Sequence, residues 1–419
     1  MLRRQLQLLL LLFVPFIAAI GQVTCDSSST KLVCQIPFST GVFGKNGSVV
    51  TNANRLGTVF NSAIATQVSQ LPLASASSGT VIVGVLGQTF DNLGPILTDR
   101  AQTIGKGKLF LAFTASQFYF TDIDGITLSK VPFSYSALNN SQGGTTYVGE
   151  NLNIHFKVNQ YVAFATYGVT KKLDVSMILP IERVSIGSTT QNAVQYSIAA
   201  NKDLVYTINP PDTFTPGTAS GVGDIVFDAK YLILDGERSK LAVGFNLRTP
   251  TGDEQNYLGS GAWGSNPYAL FSYQAKTSPH IRLGYQWNTE TDLYPNLARP
   301  GSNLALPGGL EYDIGADRSI TKHLTVAADL MGNQYQNAQK LTNANLQFAC
   351  NGCSTSNVSL PTVDAVNSTY WINDVSAGAK WNPWKQLIFT GNVLFQLNNV
   401  GMRVRPTPLI GVSYKFGFH

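Results

Sequence analysis

Apolar and polar residues alternate along most of the chain, and the pattern is clearest at its C-terminal end. In the segment 407–418 Gly411, Ser413, Lys415 and Gly417 share one face, and the other face carries Ile410, Val412, Tyr414, Phe416 and Phe418. This two-residue period predicts a β-strand with one apolar side. Such a strand suits a membrane barrel, where the apolar side meets lipid, and also a soluble sandwich, where it meets a core.

From Lys108 onward about twelve segments show this alternation, each roughly 10 to 15 residues long, as a tilted strand needs to cross a bilayer. The predicted strands are 109–120, 152–167, 173–183, 224–234, 240–248, 268–275, 280–287, 310–317, 323–331, 371–381, 387–397 and 407–418. The alternation of the second segment slips near Gln160, which predicts a β-bulge there.

Short turns and long loops alternate between these segments. Turns such as 169–172 and 318–322 follow every second strand, whereas 188–223 and 332–368 are predicted long loops. Outer-membrane barrels have this asymmetry, with short periplasmic turns and long extracellular loops. We therefore predict an all-β fold, a transmembrane antiparallel β-barrel of about twelve strands whose last strand pairs with the first near Leu109; a soluble sandwich is the alternative.

The N-terminal residues 1–21 have the pattern of a secretory signal peptide. Two arginines precede the apolar run 8–20, and Ala19 and Gly21 supply the small residues of a cleavage site. The run is too short to cross about 30 Å of hydrocarbon as a helix. We expect cleavage before Gln22 and a location in the bacterial outer membrane.

Residues 22–107 differ in composition from the barrel region, 108–419. They are rich in Ser, Thr, Asn and Gly and contain a segment of helical period near 54–71. The expected domain is an N-terminal leader, which folds either as a plug inside the barrel or as a periplasmic flap.

The four cysteines form two pairs that are close in sequence, in a chain expected to fold in an oxidising compartment. We expect disulfides between Cys25 and Cys34 and between Cys350 and Cys353. A metal or redox site at the second pair is the alternative, but no second cysteine or histidine pair at metal spacing accompanies it. No metal ion or cofactor is therefore expected.

Charged residues lie on the polar faces of the predicted strands. If the apolar faces meet lipid, the inward-facing residues are His155, Lys157, Asp174, Glu182, Asp228, Lys230, Arg248, Arg282, Glu311, Asp313, Asp329, Asp374, Lys380 and Lys415. Such a wall of mixed sign can select polar solutes, or its charges can pair and stiffen the barrel.

The net charge, one short glycine-serine motif and the spacing of the histidines argue against several functions. The net charge of +5 comes without a basic run, so we expect no nucleic-acid partner. The Gly259-Ser260-Gly261 element lacks the strand-to-helix turn of a nucleophile elbow, and the four histidines form no pair at helical metal spacing. We do not expect an enzyme. The loop 249–262 is expected on the long-loop side, where it could fold into the barrel mouth.

Several short motifs occur in order between residues 167 and 288. They are Tyr167-Gly168, Leu173-Asp174-Val175, Gly223-Asp224, Lys230-Tyr231, Arg248-Thr249-Pro250-Thr251-Gly252-Asp253, Leu258-Gly259-Ser260-Gly261 and Leu283-Gly284-Tyr285. In this order they resemble the bacterial outer-membrane barrels grouped under the meta-pathway of phenol degradation. That family is similar in architecture to channels for hydrophobic compounds of the long-chain fatty acid transporter type.

The resemblance implies a channel or transporter for passive uptake of small molecules, hydrophobic or aromatic ones among them. The alternative is a non-conducting surface-display barrel whose long loops bind a partner. The last strand, with Tyr414, Phe416 and Phe418, resembles the signal read by the barrel-assembly machinery. Outer-membrane lipid and a small-molecule solute are the other expected partners of a monomeric barrel. The leader, the cysteine pairs and the final His419 depart from the family pattern.

Overall fold

The computed structural model describes residues 30–35, 60–66, 80–83, 89–139, 144–198, 204–209, 216–296, 299, 302–349, 357–384 and 386–417. Twelve antiparallel strands in this part of the chain form the wall of a closed barrel. They are β1 Lys108–Ile123, β2 Gly144–Gly168, β3 Leu173–Ile198, β4 Val226–Asp235, β5 Ser239–Arg248, β6 Gly264–Tyr273, β7 Thr277–Asn288, β8 Gly309–Ser319, β9 Leu324–Ala349, β10 Asn357–Trp384, β11 Leu387–Gln396 and β12 Thr407–Gly417. The predicted fold class is confirmed, and each predicted segment corresponds to one strand.

The barrel closes because β12 pairs with β1. The antiparallel register sets Tyr414 opposite Leu111 and Leu409 opposite Ser116. Hydrocarbon offers no hydrogen-bonding partner to a free strand edge, so a sheet that spans lipid must pair its first and last strands. The predicted pairing of the last strand with the first is confirmed.

The outer wall carries a belt of large apolar side chains that remain exposed. Its members include Leu111, Phe113, Tyr161, Met177, Phe227, Val243, Phe271, Leu283, Ile314, Phe389 and Val412. A continuous apolar surface of this kind is unfavourable in water and matches the acyl chains of a bilayer. The chain is therefore an outer-membrane barrel, and the soluble sandwich is excluded.

Short turns at 169–172, 236–238, 274–276 and 320–323 alternate with longer connections at the other rim, as predicted. Two segments that were predicted to be long loops, 188–223 and 332–368, form strands over much of their length. Strands β3 and β10 contain 26 and 28 residues, whereas about 9 to 11 suffice to cross a bilayer. Two tall hairpins, β2–β3 and β9–β10, therefore continue beyond the membrane on the extracellular side.

The two tall hairpins are joined above the bilayer through the strand Val131–Asn139. The strand Val131–Asn139 pairs with β2 and brings Ser134 to the extension of β10. The backbone N–H of Ser134 donates to Thr362 Oγ1 (3.1 Å), and its hydroxyl donates to the carbonyl oxygen of Pro361 (2.7 Å). An extracellular cap thus joins two sectors of the long-loop rim.

The pattern of β2 does not slip near Gln160, so the predicted bulge there is wrong. Even-numbered residues face inward and are buried from Leu152 to Gly168, and the pairing with β3 is continuous from Asn151 to Gly168. The surroundings of the outer face change instead. Outward residues are apolar where they meet lipid and polar above it, while apolar residues such as Phe156 turn inward.

The other described elements are short. The helical residues 60–66 lie within the predicted segment of helical period. Extra strands are Thr80–Val83, Thr89–Asn92, Ile126–Thr127, Leu204–Asn209, Gly217–Val222, Glu290–Pro295, Asn303–Ala305 and Met402–Val404, and 3-10 turns are Leu32–Cys34, Leu128–Lys130 and Glu254–Asn256. No helix of the described ranges is long and apolar enough to cross a membrane.

Several predictions fall on residues outside the described ranges. They include the signal peptide 1–21, Cys25, Cys350, Cys353 and the final Phe418 and His419. Cys34 is disulfide-bonded, and the pairing of the four cysteines stays a prediction.

The belt predicts how stability depends on depth in the bilayer. Val412→Arg places a cation among lipid-facing apolar side chains and should lower the free energy of unfolding from bilayers by about 2–4 kcal/mol. His155→Arg, on the outer face of β2 above the belt, should change it by less than about 1 kcal/mol. Urea titrations of both variants in lipid vesicles measure the difference, and equal effects would contradict the position of the belt.

Candidate functional site

The last part of the leader, residues 93–107, lies inside the barrel at its short-turn end; we call it the inner segment. Several of its backbone N–H groups donate to wall side chains, among them Leu93 to Thr325 Oγ1 (3.1 Å), Ala101 to Ser272 Oγ (2.9 Å) and Ile104 to Asp174 Oδ2 (2.9 Å). The acceptors belong to β9, β6 and β3, so the inner segment follows the wall across many strands. It then enters β1 next to β2, where Gly107 N–H donates to the carbonyl oxygen of Gly168 (2.8 Å).

Two ion pairs in the described part of the chain join the inner segment to the wall. The Arg100 guanidinium donates to both carboxylate oxygens of Asp317, at 3.0 Å from Nε and also through Nη2. Lys230 Nζ donates to Asp99 Oδ2 and to the carbonyl oxygen of Arg100, both at 2.9 Å. The Arg100 and Asp317 side chains are 2% and 0% exposed. Removing one partner of such a pair leaves a buried charge without its counter-ion, which destabilises the folded state by about 3–5 kcal/mol.

A third contact places the inner segment against a buried histidine. Thr98 Oγ1 lies 2.5 Å from His280 Nε2 and donates to Asp329 Oδ1 at 2.9 Å. His280 Nδ1 lies 3.7 Å from Asp317. Hydroxyl, imidazole and carboxylate meet here as in a hydrolase, but Thr98 is 1% and His280 3% exposed. The cluster therefore anchors the segment and offers no surface to a substrate.

A second polar layer lies farther from the short-turn rim. Arg282 Nη1 lies 3.2 Å from Glu311 and 3.3 Å from Asp313, and its guanidinium stacks 4.6 Å above the Tyr268 ring. Tyr268 donates its hydroxyl to Asp228 Oδ1 at 2.6 Å. This layer presents hydrogen-bonding groups on the β4–β8 side of the lumen.

Most of the predicted lumen-lining residues lie on inward-facing positions of the wall. These are Asp174, Glu182, Asp228, Lys230, Arg248, Arg282, Glu311, Asp313, Asp329, Asp374, Lys380 and Lys415. The structure brings Arg282, Glu311 and Asp313 together, and it brings Asp174, Lys230, Asp329 and Lys380 to the inner segment. That these residues line a conducting path stays a prediction.

His155 and Lys157 do not face the lumen, and their assignment is wrong. Both lie on the outer face of β2, where His155 is exposed. This part of the strand stands above the bilayer, so its polar residues face water outside and its apolar residues face inward. The prediction fails here because apolar side chains point outward only where the wall meets lipid.

Arg100, Asp99 and Asp317 were missed as site residues. The signal in the sequence was Asp99-Arg100 itself, because residues 56–98 contain only one charged residue, Asp91. A charged pair in so uncharged a segment needs either water or a charged partner. Its partner Asp317 lies 217 residues away from Arg100, on β8.

The family-like motifs meet at the long-loop rim, around Asp224; we call this contact the loop clasp. The Asp224 carboxylate accepts hydrogen bonds from the N–H of Gly252 (3.1 Å), the N–H of Ser260 (2.7 Å) and the Ser260 hydroxyl. Arg248 Nε lies 3.7 Å from the same carboxylate. Motifs that are separate in sequence therefore fold the loop 249–263 onto one aspartate.

The leader also contacts the barrel at this rim. Leu32 N–H donates to Asn256 Oδ1 (3.1 Å), and the Tyr257 hydroxyl donates to Asn61 Oδ1 (2.6 Å). Burial raises the pKa of the Tyr257 hydroxyl, which therefore keeps its proton for this hydrogen bond. The described parts of the leader thus contact both ends of the barrel.

The loop clasp predicts an unequal response of two glycines to the same substitution. A Cβ at position 259 would lie 2.4 Å from Asp224 Oδ1 and 2.8 Å from the Gly252 Cα. Gly259→Ala should therefore destabilise the loop by about 1–3 kcal/mol, measured as faster protease cleavage within 249–263. Gly391→Ala is the control, because a Cβ there meets nothing within 4 Å; equal cleavage of both variants would contradict the clasp.

Comparison with known proteins finds solved structures and one family model that resemble the chain. Similar solved structures include an outer membrane channel from Pseudomonas putida F1 (11% identity, 75% of this chain, 98% of that chain, TM-score 0.43). They also include the NanC porin (11% identity, 73% of this chain, 100% of that chain, TM-score 0.38) and the Ralstonia pickettii toluene transporter TbuX (12% identity, 75% of this chain, 90% of that chain, TM-score 0.27). No curated protein sequence matches the chain. The model of the family described as "Putative MetA-pathway of phenol degradation" matches residues 136–335, which confirms the resemblance predicted from the sequence.

Proposed function

We propose that the protein is an outer-membrane channel for small molecules, including aromatic ones, and that the inner segment closes it in this conformation. One observation carries the proposal: residues 93–106 are held to the wall by hydrogen bonds and ion pairs that involve side chains, and they are not a strand of it. They can leave the lumen without breaking the backbone pairing that keeps the barrel intact in lipid. The leader then acts as a plug.

The inner surface has an apolar side that suits an aromatic solute. Strands β1, β2 and β3 turn buried apolar side chains inward, namely Phe118, Phe120, Ile154, Phe156, Val162, Phe164, Val184 and Ile186. Phe120 and Phe156 stack with ring centroids 4.9 Å apart. Leader residues Leu32, Phe60 and Ile64 belong to the same apolar cluster. When the leader withdraws, this surface needs another apolar partner.

The facing side of the lumen suits a single polar group. Arg282 and Tyr268 lie there with their carboxylate partners. A phenol has an apolar ring and one hydroxyl, so it matches a lumen that is apolar on one side and hydrogen-bonding on the other. The family description, which names phenol degradation, supports the same class of solute. Movement would follow the solute gradient, since the sequence has no nucleotide-binding motif.

Conductance in planar bilayers tests the plug. Arg100→Glu sets two carboxylates against each other at a buried site, so the inner segment should detach and the open fraction should rise at least tenfold over wild type. Lys106→Glu is the matched control, because it makes the same charge change at an exposed position of the same segment. It should conduct like wild type.

A charge swap separates detachment from general damage. The double variant Arg100→Asp/Asp317→Arg restores an ion pair at the same place and should return the open fraction toward that of wild type. If Arg100→Glu stays as silent as wild type while its heat-modifiable gel mobility shows a folded barrel, the inner segment does not close the pore.

Uptake of radiolabelled phenol by cells tests the solute class. Cells that produce Arg100→Glu should take up phenol faster than cells with wild type, and glucose uptake should rise less because the sugar lacks an apolar ring. If the uptake of phenol and of glucose rose equally, the protein would still be a channel, but the proposed preference for aromatic molecules would be contradicted.

The surface-display alternative is favoured by a different observation, the extracellular cap formed by the tall hairpins around Ser134 and Thr362. Such a cap offers a large ordered surface above the membrane. If the barrel only displays this surface, no current should pass through planar bilayers that contain wild type, Arg100→Glu or a variant without residues 22–107. Openings in any of the three favour the channel.

A further inference from the structure

Basic side chains gather on the outer wall directly above the apolar belt, in the sector formed by β12, β1, β2 and β3. They are Lys157 on β2, Arg183 on β3 and Arg403 and Arg405 in the connection before β12. We call these four residues the basic rim patch. Arg183, Arg403 and Arg405 are exposed, and Lys157 is half-buried.

Strand register places these side chains side by side. Lys157 lies opposite Tyr119 of β1, and Arg183 lies opposite Asn159, two residues from Lys157. Arg405 reaches the same place from the other side, with its guanidinium 4.5 Å above the Tyr119 ring. The cations therefore form one continuous surface across neighbouring strands.

The height of the patch follows from the same register. The topmost apolar row of the belt runs across Ile410, Ala115, Tyr161 and Ile181, which pair in sequence from β12 to β3. The next outward residues along the strands are Gln117, Asn159 and Arg183, and Lys157 follows. Along β3 the outward side chain changes from apolar to basic in one step, from Ile181 to Arg183. Such a change is expected at the level where lipid headgroups replace acyl chains.

In the described part of the chain these cations have few negatively charged partners. None of the four forms a salt bridge with another described residue. Asp122 lies opposite Arg403 in register but accepts a hydrogen bond from Thr127. The rim on the far side of the barrel is different, with aromatic pairs Tyr285–Trp287 and Tyr312–Trp371. The four cations of the patch thus lie together in one sector of the wall.

We propose that the basic rim patch binds the phosphate groups of a phosphorylated glycolipid in the outer leaflet. Such a headgroup lies beside the wall at this height, and its phosphates accept several charge-assisted hydrogen bonds from guanidinium and ammonium groups. Its acyl chains then lie along Val412, Phe113 and Tyr161 of the belt below. This lipid site is on the outside of the wall and does not depend on whether the lumen conducts.

Native mass spectrometry of the purified barrel with diphosphoryl lipid A tests the site. The double variant Lys157→Gln/Arg183→Gln should bind this lipid at least tenfold more weakly than wild type, because each cation near an anionic lipid surface contributes about fivefold. Lipid A without its phosphates should bind wild type at least as weakly as the phosphorylated lipid binds the variant, which keeps Arg403 and Arg405.

Two further variants keep the test decisive. Lys157→Arg/Arg183→Lys retains both charges and should bind like wild type. Lys171→Gln/Lys172→Gln removes two exposed lysines from a turn at the opposite rim and should also bind like wild type. Binding by Lys157→Gln/Arg183→Gln within about twofold of wild type, with folding shown by heat-modifiable mobility, overturns the proposal, as does equal loss in the opposite-rim variant.

Discussion

Every backbone N–H and carbonyl group that meets hydrocarbon must find its partner within the protein, and the rest of this structure depends on that constraint. The pairing of β12 with β1 satisfies it by removing the last free edges of the sheet. Once the wall is closed, the alternation of side chains leaves two surfaces only. One must match lipid, and the other must be filled by side chains or by water.

The interior shows how charges are accommodated inside such a wall. The inner segment brings its own cation and carboxylate, Arg100 and Asp99, and each pairs with an opposite charge on the wall. A buried ion pair adds little stability by itself, but an unpaired charge at the same place is expensive. The pairs therefore favour one seated position of the leader strongly over any displaced position that stays dry.

The strands and the alternation of turns could be predicted because lipid and lumen impose a local pattern, which β7 shows from end to end and β12 shows from Ile410 onward. The orientation of β2 above the bilayer could not, because alternation marks two faces without saying what surrounds each; His155 was misplaced for this reason. The contact of Arg100 with Asp317 joins residues 217 positions apart, and no local pattern carries that information. The loop clasp could be predicted in part. The order of the motifs identified Asp224, Gly252 and Ser260, but only the fold showed that they are in contact.

The seated inner segment is the central structural feature, and hydrogen exchange of its amides in the lipid-embedded protein measures it directly. The N–H groups of Ala101 and Ile104 donate to Ser272 and Asp174 inside the wall, so both should exchange much more slowly than unstructured amides. Protection at these two positions together with that of the neighbouring strand β1 is the predicted result. Exchange at the rate of an unfolded peptide, while β1 stays protected, would show that the segment does not occupy the lumen.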